Sequence, residues 1–194
     1  MNETVQIKTP WLASKDPEVP STLNYSTLSM CGRVEEMVRQ YPNYTAYEFM
    51  GKTTTYAEMW QKINACAKSL KAIGIREGDK VTICMPNAPQ TLCMFYAVNM
   101  VGAIANMVHP LSAESEISFY LRDSNSVAAI TLDQFYHKFE RIRANTKVVN
   151  IIIASIKDAL SRPIKAGYML TEGRKIQKIP KDAPVIRWKE FLNL

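Results

Sequence analysis

The chain has 194 residues, 47% of them hydrophobic, 22% charged and 9% aromatic, with 24 Lys+Arg against 18 Asp+Glu for a formal net charge of +6. This composition can bury a sizeable core and excludes a disordered chain or a coiled coil, while 7 Gly and 10 Pro exclude a collagen-like or Gly-rich linker composition. The charge is unevenly placed: residues 1–137 carry 11 basic and 13 acidic side chains, and residues 138–194 carry 13 and 5, so the basicity belongs to the tail.

Residues 1–27 hold Pro10, Pro17 and Pro20 among Ser, Thr and Asn and read as an extended lead-in. Leu28, Cys31, Val34, Val38 and Tyr41 then recur every three or four residues, the period of an amphipathic helix that Pro42 ends. Thr45 to Thr55 alternates as a hairpin does, with Gly51-Lys52 as its predicted turn. Thr55 and Glu58 have the spacing of a capping box and start the next helix, whose stripe runs through Tyr56, Met59, Trp60, Ile63, Ala67 and Leu70. Gly74 stands where a left-handed C-terminal cap is needed.

Four apolar runs follow, at Val81–Met85, Ala103–Met107, Val127–Thr131 and Val148–Ala154. Their starts lie roughly 20–25 residues apart, the repeat of β-α units in a parallel sheet. The intervening segments Gln90–Val101, Ala113–Asp123 and Asp133–Arg143 suit helices. The second has Ser112 as its expected N-cap, with Ile117, Tyr120 and Leu121 expected to face the sheet. No Asp, Glu, Lys or Arg occurs in the 33 residues from Val81 to Ala113. Because Pro86, Pro89, Asn99, Gly102 and Asn106 interrupt that stretch, a buried strand–helix–strand unit explains it better than a membrane span. Beyond Ser155 the pattern weakens to a broken helix and a basic loop, and Val185 to Phe191 begins a new element. The expected fold is therefore α/β, mainly a parallel sheet with flanking helices, divided into a lead-in (1–27), an α/β subdomain (28–154) and a basic connecting segment (155–194). A chain that stops at Leu194 inside a pattern is expected to be the front of a longer one.

Catalytic chemistry is sparse. Cys31, Cys66, Cys84 and Cys93 have neither Cys-x-x-Cys pairing nor a nearby His, so free buried thiols are expected, and no metal site. The first ten residues lack the apolar stretch of a secretory signal, which points to the cytoplasm and makes the Asn-x-Ser/Thr sequons at Asn2, Asn24 and Asn43 chance matches. No Gly-x-Gly-x-x-Gly or Gly-x-Ser-x-Gly is present, and Gly167…Gly173-Arg174-Lys175 misses the phosphate-loop spacing by one residue. His109, before Pro110 at a strand exit, could line a cleft; the plainer reading is a loop histidine bonded to backbone. Neither it nor His137 has a metal-ligand partner at helical spacing. The cations at Arg162, Lys165, Arg174, Lys175, Lys178 and Lys181 suit phosphates or an anionic membrane surface, or simply a solvated face. Tyr168 is the main aromatic available there to stack on a base.

The phrase Thr54-Thr55-Tyr56-Ala57-Glu58-Met59 resembles the first signature of the adenylate-forming superfamily. Ala67 to Leu70, Gly74-Ile75, Glu77 to Val81, Met85-Pro86-Asn87 and Ala97 to Ala103 leading to His109-Pro110 follow in the order and spacing of the amino-terminal part of AMP-forming acyl-CoA synthetases. The resemblance spans roughly residues 28–135. It implies a two-step ligase: a carboxylate, of the fatty-acid class, attacks the α-phosphate of ATP, and coenzyme A then displaces AMP from the acyl-adenylate. It also implies ATP, Mg2+ and coenzyme A as cofactors, a small-molecule acid as partner and no nucleic acid. The family's Ser/Thr/Gly-rich phosphate loop, acidic ribose-binding residue and catalytic lysine have no counterpart here, so no catalytic, cofactor-binding or metal residue is assigned and the 194 residues alone are expected to be inactive. Relatives commonly have Asn where His109 stands. Two other readings remain open: a non-catalytic α/β module whose basic tail binds nucleic acid or an anionic membrane surface, and a complete small nucleotide-binding domain.

Overall fold

The computed structural model describes residues 9–194. The first eight residues of the lead-in lie outside the described part. A short 3-10 turn covers Pro10–Ser14, and the rest of the lead-in lies on the surface without regular structure.

Helix α1 (Met30–Gln40) starts at Ser29, whose hydroxyl accepts the Gly32 N–H, and buries Cys31, whose N–H donates to Asn99 Oδ1 at 2.9 Å. Strands β1 (Thr45–Phe49) and β2 (Lys52–Thr55) form the expected antiparallel hairpin. Its turn is Met50-Gly51, one residue earlier than the sequence suggests: both take positive φ, 51° and 73°, as in the mirror-image turn with two left-handed central residues whose twist matches that of the strands.

Helix α2 (Tyr56–Ala72) has the capping box in full. Thr55 N–H donates to Glu58 Oε2 at 2.9 Å, and Glu58 N–H donates to Thr55 Oγ1 at 3.2 Å. The interaction holds the Glu58 carboxyl below its ordinary range, chiefly through the Thr55 N–H. At the other end Gly74, with φ +90°, lets Ile75 N–H reach Leu70 O and Gly74 N–H reach Lys71 O, closing the last turn. Thr55→Ala should lower the unfolding free energy by about 1 kcal/mol, visible as a lower urea midpoint at unchanged slope.

The main sheet contains β3 (Lys80–Cys84), β4 (Ile104–Met107), β5 (Ala128–Leu132), β6 (Asn150–Ala154) and the two-residue β7 (Ile186–Arg187). All neighbouring pairs are parallel, in the spatial order β4-β3-β5-β6-β7. Side chains alternate between two cores. Val81, Ile83, Ala128, Ile130, Leu132 and Ile152 face α2 and α3 (Pro89–Met100); Cys84, Ala129, Ile151 and Ile153 face α4 (Glu114–Asp123) and α5 (Tyr136–Ile142). Covering both faces explains why these strands read as unbroken apolar runs. It also explains the 33 charge-free residues, whose helix α3 buries Cys93, Met94, Ala97 and Val98. No helix among the described residues is long and apolar enough to cross a membrane.

The polar residues inside this layer pair with one another. Thr82 and Ser126 hydroxyls lie 2.7 Å apart, Ser124 and Ser126 hydroxyls 2.8 Å apart, and Asn106 Nδ2 donates to Thr82 and to Ser124. Two local expectations are corrected. The N-cap of α4 is Ala113 rather than Ser112, with Glu116 reaching back to the Ala113 N–H at 3.2 Å. Tyr120 is 40% exposed while Ile117 and Leu121 are buried, because the α4 stripe is only two residues wide. In the tail, α6 (Arg162–Leu170) lies on the surface, whereas α7 (Trp188–Phe191) packs Trp188 and Phe191 into the core beside α3.

Candidate functional site

The strand order reverses at β3. From β3 the chain passes outward to β4, then returns to place β5 on the other side of β3. Helix α3 leaves toward one face and α4 and α5 cover the other, so their connections diverge at the carboxyl ends and leave a crevice. Open parallel sheets bind ligands at such reversal points. Here the crevice is a cleft of about 500 Å³ lined by Met85, Pro86 and Asn87 after β3, Met107 to Leu111 from the end of β4, and Gln134 and Phe135 after β5.

His109 lines this cleft, as the sequence suggested, and is also bonded to backbone: its Nδ1 accepts the Leu111 N–H at 3.3 Å. In the neutral ring the proton therefore sits on Nε2, leaving that nitrogen a donor. The carbonyl of His109 receives the Ser112 N–H at 3.1 Å and the Cys84 thiol at 3.8 Å, which fastens the turn to the end of β3. Burial pushes the Cys84 thiol up to about 12, with nearby Lys138 opposing, so Cys84 is a packing residue and not a nucleophile.

An apolar cavity of about 340 Å³ adjoins the cleft and shares Asn87 and Met107 with it. Its walls are Tyr47 and Phe49 of the hairpin and Leu92, Phe95 and Tyr96 of α3. Toward the carboxyl ends of β5 and β6, three buried polar side chains have atoms without a partner among the described residues: Thr131 Oγ1, Ser155 Oγ and Gln90 Oε1. Gln90 Nε2 donates to the Ser155 carbonyl at 2.9 Å across the sheet end. These residues escaped the sequence reading, since one polar residue at the end of an apolar run signals nothing by itself. The partly buried Asp158 carboxyl beyond β6 is raised by desolvation against the pull of Lys189 and Lys157.

The other sequence candidates do not join the cleft. His137 lies on α5 with Nδ1 3.0 Å from Glu140. Gly167 is inside α6 and Gly173 in the turn after it, so Gly167…Lys175 does not bridge a strand and a helix as a phosphate loop does. None of the cations from Arg162 to Lys181 lines the cleft, and Lys175 pairs with Glu172 at 2.7 Å. Among the described residues no group of three or more His, Cys, Asp or Glu is arranged to hold a metal ion.

Residues 34–185 match the family model described as AMP-binding enzyme. The chain belongs to the AMP-binding enzyme family. A similar relative is the long-chain-fatty-acid–CoA ligase of Bacillus subtilis, 31% identical over 172 residues that cover 89% of this chain and 31% of the relative. Among solved structures, coronafacic acid ligase from Pectobacterium brasiliense superposes with a TM-score of 0.69 at 17% identity, covering 86% of this chain and 30% of that one. A long-chain-fatty-acid–CoA ligase from Archaeoglobus fulgidus superposes at 0.64 and 17% identity, covering 86% and 35%. These structural likenesses carry the fold, and the expected α/β architecture with its mainly parallel sheet is the one they share. The chain spans about a third of the length of the curated relatives it matches. In this AMP-binding enzyme chain, the capping box of α2 and the strand and turn at Ala103–Pro110 serve architecture: one starts the helix behind the sheet, the other builds a wall of the cleft.

Proposed function

We propose that this chain forms the front part of an AMP-forming ligase that activates a fatty acid. The acid's carboxylate attacks the α-phosphate of ATP, releasing pyrophosphate and forming a mixed anhydride with AMP. The thiol of coenzyme A then attacks the acyl carbon and expels AMP. The observation that carries this reading is the match of residues 34–185 to the AMP-binding family. The adjoining apolar cavity with walls of Phe49, Leu92 and Phe95 supports an acid with an apolar chain.

Within that reaction the residues described here do positioning work. The β4 turn, held by the His109–Leu111 and Cys84–His109 hydrogen bonds, presents a fixed wall to the cleft, and the buried sheet behind it excludes water. Phosphoryl and adenylyl chemistry needs basic groups and backbone donors aimed at developing negative charge. The cleft residues include neither Lys nor Arg. Phosphate, ribose and Mg2+ contacts are therefore assigned to further segments of the ligase, and the 194-residue chain by itself should not activate an acid.

ATP–pyrophosphate exchange tests both halves of the proposal. The full ligase should exchange label with oleate more efficiently than with acetate or benzoate, and the 194-residue chain should give background exchange with all three. Robust exchange by the short chain would overturn the claim of missing machinery. Preference of the full enzyme for benzoate would overturn the fatty-acid assignment.

A further inference from the structure

The cleft is lined by stretches from three different strand ends: residues 85–87 after β3, 107–111 at the end of β4, and 134–135 after β5. The backbone ladder of the sheet stops at or just before each of them, so side chains must set the distances between these loops.

Lys138 is placed to do so. It stands in the first turn of α5, and helical side chains tilt toward the helix N-terminus, so it projects back toward the carboxyl ends of the strands. Its Nζ donates to the Ser112 carbonyl at 2.8 Å, 26 residues away in the chain, and lies 5.4 Å from the centre of the Phe135 ring. Its charge also reaches the end of β3, where it draws the Cys84 thiol down against the effect of burial. That thiol donates in turn to the His109 carbonyl at 3.8 Å. One half-buried ammonium therefore bonds the β4 turn, covers the β5 loop and acts on the end of β3.

Arg141, one turn further along α5, makes a similar reach to α4, with Nε 2.9 Å from Glu114 Oε2. The side chains of that pair are 58% and 37% exposed, and exposed ion pairs contribute little. A charged donor on a carbonyl beside a buried thiol is the stronger hold.

We propose that Lys138 is a positioning residue of the cleft, clamping its three loops together and so fixing the wall against which the acid binds. The acid-site half of this assignment rests on the ligase reading; the clamp rests on the contacts of Lys138 alone.

Two measurements test the two halves. Lys138→Met keeps the stem over the Phe135 ring and removes the ammonium. In the 194-residue chain it should speed amide exchange of Val108 and Ser112, which donate to Ile83 and His109, by about 10-fold or more, and leave Ile152 in β6 unchanged. In the full ligase it should raise KM for oleate about 10-fold or more in ATP–pyrophosphate exchange, with kcat within about threefold and KM for ATP unchanged. General loss of stability would lower the active fraction instead, reducing kcat for every substrate and leaving KM where it was. Lys138→Arg keeps a charged donor and should recover most of both effects, and Arg141→Gln should move KM by less than about twofold. Unchanged exchange at Val108 and Ser112 overturns the clamp. A loss confined to kcat, an Arg variant no better than Met, or a larger KM effect from Arg141→Gln overturns the positioning role. No exchange with oleate by the unaltered ligase would instead overturn the ligase reading and the acid-site half with it, and the amide measurement would still decide the clamp.

Discussion

Phe191→Ala is expected to lower the unfolding free energy by about 3–5 kcal/mol, one of the larger effects available to a single substitution in this chain. Phe191 is fully buried in the same core as Met94, Ile130 and Ile152, and stacks on Trp188 at 5.8 Å between ring centroids. Removing the ring takes away its transfer free energy and leaves a cavity, because α3 and β6 are held by their own hydrogen bonds and close only partly around the gap. Domains of this kind are typically stable by about 5–15 kcal/mol, so the loss should be visible as a large drop in the urea midpoint. Leu194→Ala, three residues on and 55% exposed, should change stability by less than about 0.5 kcal/mol. The pair makes a test: if the end of the chain were an undocked connector, both substitutions would be neutral.

The same region marks where the sequence stops being legible. Helix α2 could be read with both ends because its signals are local: Thr55 and Glu58 bond across three residues, and Gly74 closes the turn that precedes it. Strands β3, β5 and β6 could be read because helices on both faces force mostly apolar residues along them, whereas the edge strand β4 was read from its apolar composition although Ile104 and Met107 are each 52% exposed. Strand β7 has only Ile186 and Arg187, too few to carry a period, and it exists because β6 offers it an edge. The hairpin turn was misplaced by one residue because glycine marks a left-handed position, whereas Met50 also takes one without a marker in its side chain. Ser112 is the better cap by composition, yet Ala113 holds the position, with Glu116 accepting the Ala113 N–H. Of the cleft, His109 could be singled out from the order of a strand, a His and a Pro. Gln90 and Ser155 could not be, since their contact spans 65 residues and depends on the topology. The corresponding polar pairing of Asn106 with Thr82 and Ser124 inside the charge-free stretch was hidden for the same reason.

The thiols should be nearly unreactive in the folded protein, and their titration should destabilise it in alkali. All four cysteines are free and buried. Burial pushes Cys84 from 9.0 up to about 12 and Cys93 up to about 11, and raises Cys66 as well, with the neighbouring Cys93 adding to it. At pH 8 a shift of three pH units lowers the thiolate fraction roughly 1000-fold, and the thiolate is the reactive form. Labelling by a thiol reagent should therefore follow the opening of the fold and accelerate by orders of magnitude in urea. The pH dependence has a definite sign. A group whose folded pKa is raised binds its proton more tightly when folded, so its stabilisation is complete below the unfolded value near 9 and is lost as the pH climbs toward 11 and 12. At about 1.4 kcal/mol per pH unit, the two groups together represent several kcal/mol at the top of that window. Tyr136, raised to about 12 by burial and by donating to Glu140 at 2.8 Å, joins only above about pH 10, the ordinary phenol value. Urea midpoints between pH 8 and 10 thus isolate the cysteines. Cys84→Ala with Cys93→Ala should lower the midpoint at pH 8 yet flatten its decline with pH, because the cavity term does not titrate and the thiol term does. A decline as steep as that of the unaltered chain would assign the alkaline loss to other groups.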